Sequence, residues 1–109
     1  MDIRQLTDEM NRFVTAKGWY QQESPRPQTA RNLAVSLALE TGEVLEHFQW
    51  SDEPKQKEEL SGELADVALY LLQLASVTGI DLEEAILSKL EQNYKRSWDQ
   101  EIDHSEENQ

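Results

Sequence analysis

The sequence contains no cysteine among its 109 residues, which excludes a disulfide framework and any thiolate-ligated zinc or iron–sulfur centre. Proline is scarce, and all three residues (Pro25, Pro27 and Pro54) fall where helical periodicity breaks. Cations are also few: ten Lys and Arg face 22 Asp and Glu, a net charge of −12. That balance excludes a phosphate-backbone-binding surface, so no nucleic-acid partner is expected. Acidic excess mostly serves solubility. If this chain binds a polyanion such as a nucleotide, a cation must stand between the two. Long hydrophobic runs are missing as well. "LADVALYLLQLASVTGI", from Leu64 to Ile80, is short for a membrane span and carries Asp66 and Gln73. The N-terminal "MDIRQLTDEM" lacks the apolar core of a secretory signal. A soluble cytoplasmic domain without a membrane partner is the expectation.

What remains is helical periodicity nearly throughout, with no repeat and no useful strand-like alternation. Ile3, Leu6, Met10, Phe13 and Val14 stripe a first helix from Ile3 to Lys17, stopped by Gly18. "WYQQESPRPQT" follows as a long polar loop. Thr29 caps a second helix over Ala30 to Gln49, and "WSDEPKQ" breaks it, with Pro54 in the first turn of a third helix ending at Val77. "GIDLEEA" opens a fourth helix with Asp81 as N-cap, Glu84 three residues on, and Ile80 and Ala85 placed as a staple. This helix reaches Trp98. The fold class is therefore all-α, a four-helix bundle over residues 1–98, followed by an acidic, disordered tail at 99–109. The third helix is apolar on nearly every side between Leu64 and Val77, more than three neighbours can cover. The bundle is expected to be completed by homo-oligomerisation, as a dimer or tetramer.

Two stretches contradict an ordinary core. In "LALETGEVLEHFQW", Glu40 and Glu43 share one helix face with Ser36, His47 and Trp50. In "GELADVALYLL", Glu63 and Asp66 repeat the spacing among apolar residues, on a face continuing through Glu59, Tyr70 and Gln73. A short connection favours antiparallel packing of the two helices, with the carboxylate pairs opposed. Converging carboxylates cannot all stay ionised unaided: either their pKa values rise or a hard cation neutralises them. Oxygen-only ligation suits Mg2+ or Mn2+. An isolated E-x-x-E in a Glu-rich helix is ordinarily a solvated face; two such pairs set in apolar helices argue for a metal site. A di-iron carboxylate bundle needs Glu-x-x-His pairs, and none occurs, since Val44 stands three before His47.

Lys89, Asn93 and Arg96 follow i, i+4, i+7 on the fourth helix, on a face that begins with Leu82 and Ile86. The row suits a phosphate clamp, although compensation of the helix dipole also places cations in a last turn. Trp50, Trp19 and Tyr20 could stack on a base or simply pack. His47 could hydrogen-bond a carboxylate or a substrate.

These residues, in this order, resemble the all-α nucleoside triphosphate pyrophosphohydrolases of the MazG-like superfamily, within its dCTP pyrophosphatase-like branch. The family pattern E-x-x-E, spacer, E-x-x-D reads here as Glu40, Glu43, Glu63 and Asp66. The branch-level likeness lies in "RNLAVSLALETGEVLEHFQW", "ELADVALYLLQLA" and "DLEEAILSKLEQNYKR". It implies Mg2+-dependent hydrolysis of a (deoxy)nucleoside triphosphate, dCTP or a related or non-standard one, to monophosphate and pyrophosphate in nucleotide-pool house-cleaning. By the same resemblance the four carboxylates ligate metal, with Glu40 or Glu43 acting on the water. Lys89, Asn93 and Arg96 contact phosphate or sugar, and Trp50 packs on the base. "WYQQESPRPQTARNL" is longer than the corresponding stretch of the branch and has no histidine before "RNL"; Trp19 and Gln28 lie there. The alternative is a non-catalytic helical nucleotide-binding or regulatory module.

Overall fold

The computed structural model describes residues 1–21, 23–25 and 27–100, with side chains to residue 96. The acidic tail expected to be disordered lies outside the described residues from 101 onward. Four helices make up the regular structure: α1 (Ile3–Ala16), α2 (Ala30–Glu46), α3 (Lys57–Val77) and α4 (Leu82–Gln100). There is no strand among the described residues.

Local chemistry accounts for most of the boundaries. Asp2 accepts from the Gln5 amide while the Gln5 side chain accepts from the Asp2 amide, closing a capping box at the start of α1. Thr29 caps α2 through the Asn32 amide. Gly18 and Gly79 hold φ of 72° and 74°, the left-handed region that glycine enters without steric cost. At Gly18 the chain turns back so that the Trp19 amide donates to Val14 O and the Gly18 amide to Thr15 O. This Schellman arrangement drops Trp19 onto the end of α1.

Four expected limits differ: α1 ends at Ala16 rather than Lys17, with Lys17 as its cap, and α4 runs to Gln100 rather than Trp98, so residues 99 and 100 of the expected tail are helical; the other two lie in α2 and α3. α2 stops at Glu46 rather than Gln49, because His47 and Phe48 donate to Val44 and Leu45, three residues back, tightening the last turn. α3 starts at Lys57, so Pro54 precedes the helix; the Glu53 amide donates to Ser51 Oγ in a local turn instead.

α1 and α2 both run antiparallel to α3. Gln28, just before α2, meets Gln73, and His47, at the end of α2, meets Glu63. Arg4 of α1 reaches Asp81 beyond the end of α3, and Asn11 reaches Ser76. The core is small: Met10, Val14 and Leu72 form a cluster onto which Ile3, Trp19 and Leu82 pack, with Leu33 and Ala75 also buried. By length and composition α3 would suffice to cross a bilayer. Its acidic pair, its buried Gln73 and its packing between two helices fit the central helix of a bundle.

Leu33, at 2% exposure, is fully buried. Leu33→Ala is expected to cost about 2–5 kcal/mol, read as a lower urea midpoint with unchanged slope.

α4 is held by its first turn. Arg4 donates to Asp81 Oδ2 from Nε and Nη2 at 3.0 and 2.8 Å, and from Nη1 to Glu83 at 3.2 Å. Asp81 Oδ1 accepts from the Glu84 amide, as the N-cap pattern requires. These contacts, the amide bond first and Arg4 second, hold the Asp81 carboxyl below its ordinary 3.8. A lowered carboxyl stabilises the fold above its unfolded pKa and loses that contribution as pH falls through the folded value. Asp81→Ala should therefore lower the thermal midpoint at pH 7, and the gap to wild type should close in strong acid.

Candidate active site

The i, i+3 spacing on α2 and α3, together with their antiparallel packing, sets Glu40 and Glu43 opposite Glu63 and Asp66. The Glu40 carboxyl is raised above its ordinary value, by burial first and then by the negative charges of Glu43, Asp66 and Glu63. All four therefore act within one electrostatic neighbourhood. Glu40 and Glu63 are partly buried, whereas Glu43 and Asp66 are exposed, so the face is open to solvent on one side. Among the described residues no three His, Asp or Glu side chains close into a ready-made cage.

Two carboxylate oxygens of this face, Glu40 Oε1 and Glu63 Oε1, are sealed from solvent and lack a hydrogen-bond partner. A buried acceptor left in that state is costly unless something positive meets it. His47 is buried at 5% exposure, and its Nε2 stands 2.7 Å from Glu63 Oε1. That contact is close but not aligned as a hydrogen bond, and His47 Nδ1 also has no partner. Burial beside Glu63 separates His47 from an ordinary surface histidine.

Asp66 also stands at the edge of a second feature, a groove of about 430 Å3 between α1 and α3. Its walls include Leu6, Met10, Phe13, Trp19 and Leu69, with Tyr70, Gln28 and Gln73 as polar members. Trp19 meets Phe13 edge-on, with ring centroids 5.5 Å apart. Asp66, Tyr70 and Gln73 follow i, i+4, i+7 on α3, so the groove and the carboxylate face share one helix. Of its polar members, Gln73 was legible in the sequence as a polar residue inside an apolar run.

Other expected residues lie elsewhere in the protomer. Trp50 is 86% exposed and does not line the groove. Lys89, Asn93 and Arg96 are exposed on α4, which packs on α1 and makes no comparable contact with α2 or α3. One protomer does not bring that row to the carboxylates.

The profile of the MazG-like family matches residues 35–109. The dCTP pyrophosphatase 1 proteins of Mus musculus and Homo sapiens are each 36% identical over 104 residues, covering 87% of this chain and 56% of their own length. The chain thus spans little more than half the length of these curated relatives. A crystal structure of a pyrophosphatase from Archaeoglobus fulgidus aligns with a TM-score of 0.71 at 35% identity, over 85% of this chain and 89% of that one.

Proposed function

This chain belongs to the MazG-like family and shares its all-α fold, and from that premise we propose that it hydrolyses nucleoside triphosphates to monophosphate and pyrophosphate. The observation that carries the reading is the shared face of Glu40, Glu43, Glu63 and Asp66, whose charges bear on one partly buried carboxyl. The similarity to dCTP pyrophosphatases supports dCTP or a related deoxynucleotide as the substrate class, and removal of unwanted nucleotides as the role.

The donor set fits Mg2+ or Mn2+: four carboxylates, no sulfur, two buried oxygens without partners and an open side for waters and phosphate oxygens. Such an ion, when bound, supplies neutralisation of the triphosphate charge and a lowered pKa for water. Glu40, its carboxyl raised above its ordinary value by burial and by its acidic neighbours, accepts the proton of the attacking water, with Glu43 one turn on to orient it. The water oxygen joins one of the two phosphorus atoms flanking the α,β-bridging oxygen. The bridging P–O bond then breaks and its electron pair leaves with the departing phosphate group. The nucleoside lies in the α1–α3 groove against Trp19 and Tyr70, with Asp66 marking where the phosphates begin. His47 stands behind Glu63 and acts on the substrate only through it.

Lys89, Asn93, Arg96 and Trp50 join this site through a homo-oligomer, since the protomer leaves them on its surface. Pyrophosphate release from dCTP, dATP, dUTP and dTTP with Mg2+ or Mn2+ tests the reading. Hydrolysis of at least one is expected. No release from any would leave a non-catalytic nucleotide-binding module.

A further inference from the structure

Glu40, Glu43 and His47 follow i, i+3, i+7, so the imidazole closes the carboxylate row of α2, where His47 is the C-cap. Its side chain is only 4% exposed, and Nε2 stands 2.7 Å from Glu63 Oε1 on α3. Two facing lone pairs would repel at that separation, so the ring proton lies at Nε2, toward the carboxylate. Nδ1 is then the bare nitrogen, sealed and without a partner. A buried acceptor left unmet detracts from stability, and an apolar ring of similar size would avoid that cost. What the imidazole offers over such a ring is one N–H, directed at one carboxylate.

Glu63 is half of an unfinished pair. Its Oε1 is sealed from solvent yet not fully met, because the contact with the ring is out of hydrogen-bond alignment. The side chain as a whole keeps 24% exposure, none of it at that oxygen. A turn of the carboxylate, with no movement of α2 or α3, is enough to align the two. A glutamate confined by a buried neighbour also loses less rotamer freedom when it takes up a cation.

We propose that His47 is a positioning residue whose Nε2–H holds the Glu63 carboxylate ready for a divalent cation, and that it touches neither the cation nor the nucleotide. The proposal rests on the carboxylate–cation reading given above and adds the side chain that sets the affinity of that site. Neighbours of this kind fix the orientation of a ligating carboxylate, and their loss typically weakens metal binding about 10- to 100-fold.

The test is calorimetric titration of Mn2+ into the metal-free chain, without nucleotide, for wild type, His47→Phe, His47→Leu, His47→Gln and Glu63→Gln. The two apolar variants should bind Mn2+ about 10- to 100-fold more weakly, while their metal-free thermal midpoints hold or rise because the unmet nitrogen is gone. His47→Gln, whose amide can donate in place of Nε2, should recover most of the affinity. Hydrolysis by His47→Phe should climb back toward wild type as metal is raised, with the nucleotide KM and base preference unchanged at saturating metal. Unchanged Mn2+ affinity in the apolar variants would overturn the proposal, as would an equal loss in His47→Gln or an altered base preference. Failure of both apolar variants to fold would also overturn it, by marking a structural role. Weaker binding in Glu63→Gln alone would leave the carboxylate site standing without His47. Mn2+ affinity unaltered even in Glu63→Gln would remove the underlying reading and this proposal with it.

Discussion

Glu43→Gln and Asp66→Asn are each expected to lower turnover by about two orders of magnitude or more while leaving the fold intact. Both side chains are exposed, and the amides match them in shape, so packing is unaffected. Surface changes of that kind ordinarily stay within about 0.5 kcal/mol of wild-type stability. Here the sign can be argued further. Glu43 and Asp66 are two of the charges that raise the Glu40 carboxyl. A carboxyl whose folded pKa exceeds its unfolded value destabilises the native state at neutral pH. Removing either neighbour relieves part of that repulsion, so the metal-free thermal midpoint should hold or rise. The rate should fall by the equivalent of about 2.7 kcal/mol in the barrier. Calorimetric titration with Mn2+ should show weaker binding in both variants. Lost rate with undiminished stability is the signature of residues kept for chemistry rather than folding. Near-wild-type turnover in both variants would withdraw the carboxylate assignment.

The features legible in the sequence were those whose physics is local. Gly18 and Gly79 announce helix ends because few other residues accept positive φ, and Asp81 announces a start because its carboxylate matches an orphan amide. The opposed acidic pairs were legible for the same reason: three-residue spacing puts each pair on one face, and apolar neighbours make the charge conspicuous. Where the outcome depends on competition between weak local options, the sequence was silent. α3 starts after Gln56, which makes no side-chain cap bond, while Pro54 two residues earlier in the linker looked the better signal. The end of α2 was masked because Phe48 and Trp50 prolong its apolar pattern past the point where the last turn tightens. His47 carries no mark of burial in its own neighbourhood; its environment is made by Glu63 on another helix. The place of Lys89, Asn93 and Arg96 could not be read at all, since it depends on what α4 packs against.

That dependence leads to the second large effect: Leu87→Asp combined with Leu90→Asp should convert the protein in solution from an oligomer to a monomer. Beyond Leu82 and Glu83 every described side chain of α4 is exposed. Leu87, Leu90 and Tyr94 follow i, i+3, i+7 at 60%, 56% and 74% exposure, an apolar stripe left uncovered among the described residues. α3 adds Leu64 and Leu71 at 51% and 40%. The Cα radius of gyration, 17.2 Å, exceeds the roughly 13 Å of a compact chain this long. A helix extended from its bundle with an unmet apolar stripe is the expected shape of one part of an assembly, and a second copy of this chain offers the same stripe in return. An aspartate buried without a partner in such an interface costs several kcal/mol. Two of them should weaken association roughly a thousandfold or more. Sedimentation should then report a monomer, while circular dichroism shows the helices retained, because neither leucine contributes to the protomer core. If Lys89, Asn93 and Arg96 complete the site only in the assembly, the monomer loses hydrolysis although all four carboxylates remain. A variant that is monomeric and fully active would separate α4 from the reaction, and a wild-type chain already monomeric at micromolar concentration would leave the exposed stripe to another partner.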